Sequence, residues 1–182
     1  ARRVAGDLEA TIALLAESAA LAATPSVELR PRLMRSEFLR QAGRDPEAIS
    51  EARLALSAVR GSGREEAAAR FCLGVALGKT DRAASAIELG RAIEGFASAG
   101  DIDGVARVAR SLGPHVDSDP AAASIRRALA TLGEFAAPGA AALLRGWLAT
   151  RASRRADPAL SAEVAGWLTE LERIGDPGLL SE

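Results

Sequence analysis

Three short segments hold the residues whose types and spacing could do chemistry. Gly74-Val75-Ala76-Leu77-Gly78-Lys79-Thr80 nearly spells a phosphate-binding loop. That motif needs four residues between its glycines, and it must leave a strand and open a helix so that N–H groups converge on phosphate. Here three residues separate the glycines, and the segment closes a helical stretch, where the helix dipole repels an anion. It is read as a glycine helix end with a flanking lysine. His115-Val116-Asp117-Ser118-Asp119 offers an imidazole and two carboxylates to a metal or to acid–base work. His115 is the only histidine, which excludes a multi-histidine zinc site, and no nucleophile elbow accompanies it. The segment is read as a polar loop in which Asp119 caps the next helix. Arg145, Arg151, Arg154 and Arg155 form a basic cluster without interleaved aromatics, which suits a helix C-terminus better than nucleic acid. These residues predict no enzyme activity, no cofactor, no metal and no direct nucleic-acid contact.

Composition narrows the elements that must position such residues. The chain is rich in Ala, Leu, Arg and Glu, Tyr and Asn are absent, and aromatics are 3 % of the 182 residues. These are strong helix formers, so an all-α chain is expected. The 23 basic and 24 acidic residues are interspersed and leave a net charge of −1, which gives no field for nucleic acid. Lys79 is the only lysine; the Arg-rich, Ala-rich usage resembles that of high-GC bacteria. Cys72 is alone, so no intrachain disulfide is available, and it is read as a small core residue. No signal peptide and no membrane-length apolar run is present, so a soluble, cytoplasmic chain is expected.

Breakers divide the chain into about nine helices, joined by short turns that favour antiparallel neighbours. Thr24-Pro25, Gly43-Arg44-Asp45-Pro46, Gly61-Ser62-Gly63, the step from Gly78 to Asp81, Gly100-Asp101, the run from Gly113 to Pro120, Ala137-Pro138-Gly139 and Asp157-Pro158 mark the turns. Asp45 is expected to cap the third helix, and the seventh is expected to reach Phe135. The repeat domain spans 1–174 and a loose tail 175–182. A period of 38 residues relates Ile49, Ile87 and Ile125. The same period relates Ala10, Ala48, Ala86, Ser124 and Ala162, and, four residues on, Leu14, Ala52, Gly90, Ala128 and Gly166. Such a period marks a helical-repeat solenoid. The three isoleucines are expected at equivalent buried sites, and Ile87→Asp is expected to unfold the array. Phe38, Phe71, Phe96 and Phe135 are read as core wedges, and Trp147 and Trp167 as packing of the last hairpin. By phase, the first helix is the second member of a hairpin whose first helix is missing, so the chain is expected either to be cut from a longer array or to use its first helix as a cap. The uncovered face of that helix makes a homodimer an expectation.

Arg35–Leu56, with the Gly43 turn, Ala48-Ile49 and Ala55-Leu56, resembles tetratricopeptide-type (TPR-like) repeats. Leu73-Gly74 with Ala86-Ile87, and Gly100-Asp101 with Leu112-Gly113, continue the resemblance over roughly 7–170. The period is longer than the family's usual one, as in the repeat segments of MalT-like, LuxR-type and SARP-type bacterial regulators. HEAT-like repeats are the second match by period.

The resemblance implies a right-handed α–α superhelix, a TPR-like solenoid of about nine antiparallel helices, whose first-helix residues line a concave groove. Carried over by phase, those residues are Arg30, Leu33, Glu37, Arg40 and Gln41, then Ala68, Phe71, Val75 and Lys79, then Arg107 and Arg110. Their mainly basic polar members imply an acidic protein or peptide partner. The family's Asn- and Lys-based carboxylate clamp cannot be carried over, since the chain has no Asn and one Lys. The implied function is protein–protein interaction, as the repeat or sensor segment of a larger bacterial transcriptional regulator; a stand-alone adaptor or oligomerising scaffold is the alternative.

Overall fold

The structure, a computed structural model, describes residues 2–115, 117–133 and 138–174. Among the described residues it is all-helical, with nine α-helices and no strand. They are α1 (Arg2–Ala20), α2 (Pro25–Gln41), α3 (Asp45–Ala58), α4 (Arg64–Leu77), α5 (Arg82–Ser98), α6 (Ile102–Ser111), α7 (Asp119–Leu132), α8 (Pro138–Arg155) and α9 (Pro158–Ile174). A 3-10 turn, Gly113–His115, follows α6. Val116, Phe135, Ala137 and the tail 175–182 lie outside the described residues.

Local sequence accounts for the helix ends. Asp81, Asp101 and Asp157 each accept a hydrogen bond from the backbone N–H three residues on, at 2.9, 2.9 and 3.0 Å. Each satisfies a donor that the first turn leaves open. Asp45 and Asp119 are not caps, contrary to expectation. Each is the first helical residue, ahead of a proline at the second position, so the cap falls one residue earlier. Arg44 makes no side-chain cap, whereas Ser118 Oγ accepts from the Ala121 N–H at 3.4 Å. α2 and α5 end alike. Gly43 and Gly100 take φ of +75° and +67°, letting the Arg44 and Asp101 N–H groups reach back to the Leu39 and Phe96 carbonyls at 2.8 and 2.9 Å.

Successive helices pack on one another from α1 through α6 and from α7 through α9. Helices two apart also touch: α2 with α4, α4 with α6, α6 with α8, and α5 with α7. Small residues at the repeat positions permit this closeness. Ala48, Ala52, Ala86, Ser124 and Ala128 are buried, while Ala10, Ala162 and Gly166 at the two ends are exposed. At Gly90 a Cβ would stand 2.7 Å from Ser124 Oγ, so the bare backbone lets α5 meet α7. Leu89, Ile93 and Phe96 of α5, Leu112 after α6, Ile125 of α7 and Leu144 and Leu148 of α8 fill the largest core. The Trp147 indole joins them and donates to the Leu112 carbonyl at 2.9 Å. Trp167 packs at its edge.

The three isoleucines are not equivalent. Ile125 is fully buried, Ile49 is half-buried, and Ile87 is 37 % exposed. In α5 the inward stripe is Ala86, Leu89, Gly90 and Ile93, and at 3.6 residues per turn Ile87 falls outside it. A carboxylate at position 87 keeps its water, so Ile87→Asp does not carry the unfolding expected from the period.

Polar bridges tie the two helices of a hairpin together. Arg32 pairs with Glu28 on α2 and reaches Glu51 of α3 at 3.0 Å; Glu51 also pairs with Arg35. One period later Arg70 pairs with Glu66 on α4 at 2.6 Å and with Glu88 of α5 at 2.8 Å. In the third repeat the equivalent positions are Gly104 and Val108, and the ladder stops. Longer bridges run from Arg44 to Glu9, Arg127 to Glu94 and Arg126 to Glu163.

Candidate functional site: a groove across α2, α4 and α6

Helical spacing brings one stripe from each of three helices to a common opening. α2 contributes Leu33, Met34, Glu37, Phe38 and Arg40; α4 contributes Ala68, Phe71, Cys72 and Val75; α6 contributes Arg107 and Ser111. Within each helix these positions recur three or four residues apart, which places them on one face. The groove encloses about 560 Å³ and is open to solvent.

Its floor is apolar. Phe71 and Phe38 are half-buried, and Met34 is 42 % exposed. The Cys72 Sγ–H points to the Leu33 carbonyl at 3.6 Å, and burial pushes its thiol pKa up, so it adds no charge near neutral pH. On the α2 rim Arg40 grips Glu37 through Nε and Nη2, at 3.0 and 2.6 Å, and Gln41 Nε2 donates to the same carboxylate at 2.9 Å. The Arg40 hydrogen bonds hold the Glu37 carboxyl below the usual carboxylate range. On the α6 side the Arg107 guanidinium lies 5.8 Å from the Phe71 ring centroid and 6.0 Å from that of Phe96, the latter buried in α5. Among the described residues no carboxylate comes within 4.0 Å of Arg107.

Of the residues assigned to a groove by phase, Leu33, Glu37, Arg40, Ala68, Phe71, Val75 and Arg107 line this one. Gln41 sits beside it, held by Glu37. Arg30 is exposed on α2 away from it. Lys79 lies beyond the end of α4, 3.7 Å from Asp45. Arg110 is exposed; Ser111, four residues from Arg107 rather than three, takes the lining position. Met34, Phe38, Cys72 and Ser111 were not anticipated as lining. Phe38 and Cys72 carried an apolar signal that fitted the core equally well, and the i, i+4 steps Met34–Phe38 and Arg107–Ser111 were the usable clue.

The other chemistry-bearing segments are engaged structurally. Gly74 is packed inside α4 against Leu89, so the loop-like segment presents no open phosphate cradle. The His115 ring is buried, with Nε2 3.1 Å from Ser85 Oγ. Ser85 gives its own proton to the Gly74 carbonyl at 2.7 Å, so Nε2 is the donor and the serine is not activated. Burial, with the nearby Arg82 charge, lowers the His115 pKa. Asp117 stands 3.9 Å from Arg154, and Asp119 is bound by Arg151 and Arg155. The Arg145 guanidinium stacks 5.8 Å from the Trp167 ring. Among the described residues no group of three His, Cys, Asp or Glu side chains could hold a metal ion, and no helix is long and apolar enough to cross a membrane. No protein-family model, curated protein or solved structure matches the chain.

Proposed function

We propose that the chain is a protein–protein interaction module whose groove across α2, α4 and α6 receives a peptide or a helix of a partner. The open apolar groove with charged rims carries this reading: large solvent-facing apolar surface is costly unless something covers it. The repeated contacts between helices two apart support a right-handed α–α superhelix of tetratricopeptide-like hairpins, with α2, α4 and α6 on its inner side. In a larger bacterial transcriptional regulator, such a segment would sense a partner in the cytoplasm and bias a switch elsewhere in the polypeptide. A parent polypeptide with nucleotide-binding and helix-turn-helix segments beside these residues is expected on that reading. The exposed Leu14 of α1 and Leu21 just after it favour the second reading, an oligomerising scaffold, because they offer a second sticky face outside the groove.

Selection of a phage-displayed library of random dodecapeptides on the immobilised chain tests the binding role. Enriched peptides are expected to lose binding to Ala68→Trp, which fills the groove while leaving α4 helical by circular dichroism. Peptides that bind Ala68→Trp equally well would move the site elsewhere. No enrichment would overturn the reading.

A further inference from the structure

We infer that Arg107 reads an acidic side chain, so that the groove's occupant is a peptide segment carrying an Asp or Glu next to an aliphatic or aromatic residue. This rests on the groove being a binding site, and it names the chemistry the site selects.

Charge carries the argument. Two arginines and one glutamate line the groove. Arg40 and Glu37 neutralise each other through a two-point hydrogen bond, which leaves Arg107 as the lining charge without an ion pair among the described residues; Asp101, which feels its charge from farther off, is already bound by Arg64. Asp103, one turn earlier on α6, is exposed and makes no ion pair with it. Among the described residues the Arg107 guanidinium has the Phe71 and Phe96 rings beside it, and Asp101 acts on it only from beyond ion-pair distance. A ring face attracts a guanidinium through its charge and uses none of its N–H donors in conventional hydrogen bonds, so these stay available to a ligand. A carboxylate accepts from the guanidinium edge through two parallel bonds, a geometry that lysine cannot supply. The apolar floor beside Arg107, from Phe71 to Val75 and Leu33, gives an adjoining apolar side chain its place. A basic peptide would meet Arg107 with like charge, and a wholly apolar one would leave the guanidinium edge unpartnered by the ligand.

The dodecapeptide selection, run in parallel on the wild-type chain, Arg107→Gln, Arg107→Lys and Arg107→Glu, separates this inference from the one beneath it. Wild type is expected to enrich peptides with Asp or Glu beside an apolar residue, and the synthetic Gln or Asn form of an enriched peptide is expected to bind roughly tenfold more weakly. Arg107→Gln is expected to lose the acidic preference and keep the apolar one. Arg107→Lys is expected to restore it in part, and Arg107→Glu to favour Lys or Arg in its place. Enriched peptides that are sensitive to Ala68→Trp but show no acidic preference would overturn the role of Arg107 and leave the groove standing. Absence of any enrichment would remove both.

Discussion

α1 and α3 occupy the same phase of the 38-residue period, yet they bury opposite faces. In α3 and just after it, Ala48, Ala52, Ala55 and Val59 are sealed from solvent. One period earlier stand Ala10, Leu14, Glu17 and Leu21, all exposed, with Leu14 at 65 % and Leu21 at 84 %. α1 instead buries Ile12 and Ala19, whose counterparts Ser50 and Ser57 in α3 face water. The neighbours explain the inversion. α3 is wedged between α2 and α4, so its inward stripe must be small, whereas α1 packs chiefly on α2 and commits a single stripe. The difference is also written in the residues, because Glu17 stands where the interior repeat has Ala55. A period identifies equivalent positions; the helices on either side decide which of them are core.

The largest effect should come from placing a charge on the sealed stripe. Ala52→Asp is expected to cost about 4 kcal/mol or more in urea unfolding, since an unpaired carboxylate would sit between α2 and α4. An unchanged midpoint would mean that α3 does not bury this face. An intermediate effect is expected from acid, through an interior contact that α1 lacks. His115 is held neutral in the folded state, with its pKa below the usual 6.5. As pH falls through 6.5 the unfolded chain binds a proton before the folded one does, so stability declines down to the folded pKa and is full above 6.5. His115→Gln should flatten that part of the pH–stability curve, and a slope identical to wild type would show that the ring titrates freely. The smallest effect belongs to Leu14→Asp, expected within about 0.5 kcal/mol of wild type by the same urea measurement. A large loss there would reveal that the α1 stripe is covered.

Much of this architecture could be read in advance, and the gaps have physical causes. Helix termini were legible at Asp81, Asp101 and Asp157, where a capping residue opens the turn directly. They were misplaced by one residue at Asp45 and Asp119, because a following proline fits the second helical position as well as the first. The period located the buried Ala and Gly positions of α3, α5 and α7, but it could not show that Ile87 lies beyond the stripe facing α7. For the groove, phase supplied Leu33, Glu37, Arg40, Ala68, Phe71, Val75 and Arg107, passed over Met34, Phe38 and Cys72, and took Arg110 for Ser111 at the end of the shorter α6. The paired ladders Glu28–Arg32–Glu51 and Glu66–Arg70–Glu88 carry a visible i, i+4 spacing on their first helix. Their third member depends on how closely the following helix approaches, and no local pattern records that distance.

The packing of helices on near neighbours along the chain, one or two elements away, has a kinetic consequence. Loops closed by such contacts stay near one repeat in length, as with Trp147 and Leu112 or Arg126 and Glu163. Closure entropy grows only slowly with length, and here it never has to bring the chain's extremes together. Nucleation can start at whichever hairpin orders first and spread outward in both directions, with the search at every step confined to the adjoining segment.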